Sequence, residues 1–209
     1  SPTEAAHVAE DLSGKIAMII DGGPVGIGIE STIIDLTEDT PMVLRPGYIT
    51  PQMLSKVLGK EVIIDPGIIA ADDTRKPKAP GMKYKHYAPK ADMAIVDGTR
   101  KHVIAKINEL VASHRDDGKK IAVIATEETK QFYDADVVLS MGSRADEDSI
   151  AHELYRILRD CDELDVDVIF SESFSTPRIG QAIMNRMLKA AGHQVIDTHV
   201  KYDKIIFVA

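Results

Sequence analysis

From residue 92 onward the chain alternates short β-branched runs with amphipathic stretches, and that rhythm limits the fold more than any other feature. Met93-Ala-Ile-Val96 reads as a strand, and Val103, Ile104, Ile107, Leu110 and Val111 lie on one helical face that Gly118 closes. Lys120–Ile124 is a second strand, Glu127–Tyr133 a short helix, and Asp136–Leu139 a third strand. Ser149 is placed to cap a helix that turns Ile150, Leu154, Ile157 and Leu158 inward. Val166–Phe170 is a fourth strand and Gly180–Ala191 a last helix. Strands separated by helices of this length need right-handed crossovers, so the expected class is α/β with a parallel, Rossmann-like sheet over residues 92–209. The tail, residues 198–209, reads as a possible added edge strand.

Residues 1–65 have a different texture. Thr3 can cap a short helix through Ala5, His7, Val8 and Leu12, and Lys15–Ile20 reads as a buried strand stopped at Asp21-Gly22-Gly23-Pro24. Ser31–Leu36, Met42–Arg45 and Val62–Ile64 are further strands. Thr50-Pro51 opens a helix that Gly59 should end. Four strands and two helices in so short a stretch make a marginal core, so this looks like part of a domain. Residues 66–91 form a linker without apolar periodicity, carrying Pro66, Pro77, Pro80 and Pro89.

The chain carries 33 acids against 25 Lys and Arg, a net charge of −8, which argues against broad non-specific binding to nucleic acid. The exception is the stretch from Arg75 to Lys90, with Arg75, Lys76, Lys78, Lys83, Lys85 and Lys90 and no acid. Such an island suits an anionic ligand, RNA included, or is simply a solvated connection. No run approaches the roughly 20 apolar residues of a membrane helix, and the first residues lack the pattern of a signal peptide, so a cytoplasmic home is expected. The single cysteine, Cys161, fits a core or boundary thiol.

The glycine cluster Gly22–Gly28 has no Gly-Lys-Ser/Thr ending and runs into a strand, so it is a structural loop and not a phosphate loop. Three polar placements hold more promise. Ser31 and Thr32 open a strand where a hydroxyl can reach a small ligand. Arg45 ends a strand before Pro46-Gly47, a rigid exit from which a guanidinium could clamp a phosphate. Tyr84, His86 and Tyr87 interleave with Lys83 and Lys85, a composition suited to stacking on a base. Asp97-Gly98, Thr126 and Ser171–Ser175 stand at strand ends of the second part, polar enough for a ligand and equally normal for solvated loops.

Taken in order, Gly28–Thr37, Val43–Gly47 with Ile49-Thr50, and Ala79-Pro-Gly-Met-Lys-Tyr-Lys-His-Tyr-Ala-Pro89 resemble the Sua5 family. The opening Ser1-Pro-Thr3 with His7-Val8, and the helix Gly180–Ala191, resemble it too. The resemblance implies an incomplete YrdC-like α/β domain (residues 1–65), a linker or lid (66–91) and a Rossmann-like Sua5 domain (92–209). It implies a nucleotidyltransferase that makes threonylcarbamoyl-AMP and pyrophosphate from L-threonine, bicarbonate and ATP with Mg²⁺, feeding the tRNA threonylcarbamoyl transferase machinery. By resemblance Ser31 contacts threonine, while Ser1, Arg45 and Tyr84 contact ATP, with Lys83, His86 and Tyr87 as lid candidates. The family's upstream Lys-x-Arg motif and Ser-Ala-Asn loop are not in this sequence. The chain is therefore expected to be a fragment or one half of a split protein, inactive by itself. A non-catalytic nucleotide-binding or regulatory module is the alternative.

Overall fold

The structure, a computed structural model, describes residues 2–68, 88–174 and 178–199. Strands β1 (Ile33–Asp35), β2 (Met42–Arg45) and β3 (Ile63–Ile64) form one small sheet in that order; helix α1 (Ala5–Leu12) precedes it in the chain and α2 (Pro51–Leu58) joins β2 to β3. β1 and β2 run antiparallel, whereas β2 and β3 are parallel. Helix α2 starts and stops as its residues demand. The Thr50 side chain accepts from the Met53 N–H, Pro51 takes the first helical position, and Gly59 ends the helix in the left-handed conformation.

The second sheet holds five strands: β4 (Asp92–Asp97), β5 (Ile121–Ala125), β6 (Val137–Ser140), β7 (Val168–Glu172) and β8 (Val195–Asp197). Their order is β6-β5-β7-β4-β8 and every pairing is parallel, as the strand-helix rhythm requires. Helix α3 (Arg100–Asp116) covers one face, and α4 (Glu147–Glu163) with α5 (Gly180–Ala190) covers the other. Successive side chains of β4 choose opposite cores: Met93 and Ile95 pack with α4 and α5, Ala94 and Val96 with α3. With both faces covered, β5 and β7 are buried along their whole length, which is why β5 reads as an unbroken apolar run and β7 turns polar only at Ser171 and Glu172.

Several expectations need correction. Lys15–Ile20 is no strand; Met18 is 74% and Ile20 87% exposed. A strand exists only where a neighbour completes its hydrogen-bond ladder, and among the described residues none lies beside this run. Glu4, not Thr3, sits at the start of α1, because Thr3 is buried and its N–H donates to His7 Nδ1 (3.4 Å). Glu127–Tyr133 tightens to a 3-10 turn at Lys130–Phe132, drawn in by the mutual hydrogen bond of buried Thr126 and Thr129 (2.9 Å). That bond also removes Thr126 from the ligand candidates. Asp146 caps α4 by accepting from the Ser149 N–H; Ser149 lies inside the helix, with its Oγ donating to the Asp146 carbonyl (2.6 Å). The edge strand β8 was not expected from the sequence, and most of the tail expectation, residues 200–209, lies outside the described residues. Among the described residues, no helix is long and apolar enough to cross a membrane.

The two sheets share a core. Ile29 is buried in the cluster built by α4 and α5, with Tyr48 packed against it. Gly28 touches the backbone of α4 so closely that an added Cβ would stand 2.5 Å from the Ala151 carbonyl oxygen and 2.6 Å from that of His152. From α1, His7 meets Tyr155 edge to face at 5.1 Å between ring centres, and Asp11 accepts from Arg159 at 3.0 and 3.3 Å. Helices α4 and α5 therefore serve both halves of the molecule.

Cys161 is 1% exposed, and burial first, then Asp160 and Asp162, push its thiol up to about 12. Aromatic disulfide reagents should leave it untouched in the native chain and titrate it fully in denaturant. At Glu128, burial opposes the charge, yet hydrogen bonds from Ser143, its own backbone, Arg144 and Thr126 prevail and hold it down at about 2. Its folded value is depressed, so its contribution is complete above the ordinary 4.5 and is lost as pH falls toward about 2. Unfolding curves of Glu128→Gln should show a flatter loss of stability across that window than the parent chain.

Candidate functional site

Ser31 stands just before β1, and Arg45 is the last residue of β2. The antiparallel pairing of these two strands brings Arg45 beside the start of β1, in register with Ile33. Arg45 Nε donates to the Ser31 carbonyl (2.9 Å) and its Nη2 donates to Ser31 Oγ (2.9 Å), a two-pronged hold that fixes the serine hydroxyl and the guanidinium together. Thr32 Oγ1 donates to the Ile49 carbonyl at 2.7 Å, which ties the chain beyond Pro46-Gly47 to the same spot. Gly47 is buried and has no room for a side chain. A Cβ there would lie 2.4 Å from the Glu30 carbonyl oxygen and 2.5 Å from the Thr32 nitrogen. The strand-exit turn is thus pressed against the backbone that carries Ser31.

The second half of the molecule reaches the same place. Arg186 of α5 pairs with Glu30, the residue before Ser31. Lys189 lies one turn further along α5; both are basic yet only 3% and 7% exposed. Burial makes Lys189 lose its proton more readily, Glu30 resists this, and Arg186 and Arg45 reinforce it. Lys189 is therefore close enough to feel Glu30, Arg186 and Arg45. Arg45, half-buried and joined to Ser31, is the cation here that suits a phosphate or carboxylate.

Sequence reasoning found Ser31 and Arg45, and the structure joins them by hydrogen bonds. It missed Glu30, Arg186 and Lys189. A signal was present, since Arg186 and Lys189 are three apart on the face of α5 that also carries Ile183 and Ala190, where bases are out of place. Ser1, Lys83, Tyr84, His86 and Tyr87 lie outside the described residues. The glycine loop is solvent-exposed from Gly22 to Ile27, and it leads to β1 and to no helix. Among the described residues no group of three His, Cys, Asp or Glu could hold a metal ion, and Glu30 is already engaged by Arg186. The donors here do not fit a resident Mg²⁺.

Comparison with known proteins adds the following. A family model described as "Threonylcarbamoyl-AMP synthase, C-terminal domain" matches residues 49–192, and another described as "Telomere recombination" matches residues 1–47. A threonylcarbamoyl-AMP synthase of Bacillus subtilis is 46% identical over 196 residues, covering 94% of this chain and 55% of that protein. One from Pyrococcus abyssi is 47% identical over 197 residues, covering 94% and 55%. The chain spans about half the length of the curated relatives it matches. Among solved structures, P. abyssi Sua5 complexed with L-threonine superposes with a TM-score of 0.85 at 45% identity, covering 95% of this chain and 56% of that one.

The crowding at Gly47 gives a direct check. Gly47→Ala must displace the backbone of Glu30–Thr32, and urea denaturation should show a loss of about 1–3 kcal/mol, the usual cost of overpacking.

Proposed function

The chain belongs to the threonylcarbamoyl-AMP synthase (Sua5) family, and from that premise we propose that it forms part of an enzyme joining L-threonine, bicarbonate and ATP. The observation that carries this reading is the Arg45–Ser31 hold, since it sets a hydroxyl for one substrate next to a cation for the other. The threonine nitrogen takes up bicarbonate with loss of water to give a carbamate. A carbamate oxygen then attacks the α-phosphorus of ATP, and pyrophosphate leaves with the electrons of the broken P–O bond. Ser31 Oγ contacts threonine, and Arg45 offsets the charge that grows on the phosphoryl oxygens. Mg²⁺ enters with the phosphates of ATP as part of the substrate.

The reading extends beyond the described residues. Ser1 lies beside the nucleotide, and the linker, residues 66–91, acts as a lid in which Tyr84, with Lys83, His86 and Tyr87, covers it. A lid of this kind keeps water from the mixed anhydride product. The product passes to the tRNA threonylcarbamoyl transferase machinery in the cytoplasm. We further propose that residues 1–65 are the closing portion of a YrdC-like domain, whose remainder supplies the other ATP contacts. Two facts support this: the chain spans about half the length of its relatives, and the apolar Ile16, Met18 and Ile20 stand exposed at 45%, 74% and 87%.

Pyrophosphate release from this chain, given ATP, Mg²⁺, L-threonine and bicarbonate, should be absent alone and appear when a YrdC-like N-terminal half is added. In that reconstituted state Arg45→Ala should cut the rate by about 10²-fold, the scale for losing one charge-stabilising donor. Threonine-dependent release by the chain alone would overturn the dependence on a second half.

A further inference from the structure

The five-stranded sheet has a crevice that the Ser31–Arg45 site does not use. The chain leaves β4 toward β5 on the α3 face, and leaves β7 toward β8 on the α5 face. β4 and β7 are neighbours, so their connections part to opposite sides beyond the carboxyl ends of the strands. Open parallel sheets hold ligands at such a parting. A cavity of about 380 Å³ opens there, its lining including Asp97, Arg100, Arg144, Glu172, Ser173 and His199. Small-molecule sites begin at roughly 300 Å³.

The lining is built and not merely exposed. Glu172 is 1% exposed; its Oε1 accepts from Tyr133 Oη (2.6 Å) and its Oε2 from Arg144 Nη2 (2.7 Å). Arg144 also donates to the Ser173 carbonyl (2.9 Å), and its guanidinium lies 5.3 Å from the centre of the Phe174 ring. Three groups thus set its position before anything arrives. Arg100, across the crevice, stands 5.9 Å from the Phe132 ring centre and donates one N–H to the Glu128 carbonyl, leaving its other donors available. It opens a 17-residue helix whose first three residues are Arg100, Lys101 and His102, with no acid in the first turn and no side-chain cap from Thr99. Cations at that end oppose the helix dipole, an arrangement that an anion relieves. The Asp97 carboxylate makes no hydrogen bond to any described residue, while its backbone carbonyl is taken by Thr198 N and Oγ1, both at 2.8 Å.

Glu172 is spent on Arg144 and Tyr133, so the crevice offers Arg100 and the start of α3 to an anion, and the Asp97 carboxylate to hydroxyl groups. We propose that it binds a small phosphate ester with neighbouring hydroxyls, the ribose-phosphate unit of a nucleotide or of a free sugar phosphate. Arg100, supported by Arg144, takes the phosphate and Asp97 takes the hydroxyls. This site is separate in its residues from the one that carries Ser31.

Titration calorimetry of the whole chain with AMP, ribose 5-phosphate and inorganic phosphate tests it, with Arg45→Ala as background so that the first site does not contribute. Saturable binding of AMP or ribose 5-phosphate, weakened at least tenfold by Arg100→Ala, is the expected result. A preference for AMP identifies a nucleotide site; equal binding identifies a sugar-phosphate site. Asp97→Asn should remove most of the advantage of either over inorganic phosphate. Arg100 and Thr99 are exposed, so Arg100→Ala should unfold like the background chain. Absence of saturable binding by all three probes, or binding indifferent to Arg100→Ala, refutes the site. Inorganic phosphate binding as tightly as the esters refutes the part given to Asp97.

Discussion

The small sheet depends on its hold on α4 and α5. Three strands of two to four residues cannot enclose a core of their own, and α2 has no buried residue at all. What steadies them is borrowed: Ile29 enters the core between α4 and α5, Gly28 lies on the α4 backbone, and Glu30 pairs with the buried Arg186. These are three consecutive residues, and the next one is Ser31. The candidate site therefore sits at the seam. Packing and chemistry meet in the same four residues.

Much of this was legible because it follows from period and punctuation. The parallel sheet, four of its five strands and helix α2 came from β-branched runs and from Thr50, Pro51 and Gly59, each of which acts locally, whereas β8 was not read. Ser31 and Arg45 were legible as polar residues at strand ends. What local reading could not give was partnership. Lys15–Ile20 has the residues of a buried strand and no strand beside it among the described residues. Arg186 and Lys189 looked like ordinary helix bases until the fold set them against Glu30 and Arg45, across more than a hundred residues of sequence. The same holds for the crevice beyond β4 and β7, whose existence depends on strand order and not on any one segment.

The two positively charged places differ in how they hold their cations. At the seam, Arg186 and Lys189 are buried, so they are fixed in position. Beyond the large sheet, Arg100 and Arg144 are both exposed, and only Arg144 is anchored by a buried carboxylate, that of Glu172. The first arrangement suits a step in which charge must be met at one point. The second suits reversible occupancy, because an exposed guanidinium is easily returned to solvent.

The strand order also fixes a timetable for synthesis. β4 is made early in the second half, yet it pairs only with β7 and β8, which come later in the chain. A ribosome that has finished Asp97 must proceed to Val168 before β4 gains its first neighbour, on the order of ten seconds at ordinary elongation rates. Through that interval Met93, Ile95 and Val96 are apolar residues of an unpaired strand. Nascent copies are thus at their most adhesive in mid-translation, and growth conditions that slow elongation through α4 should lower the yield of soluble protein more than slowing elsewhere.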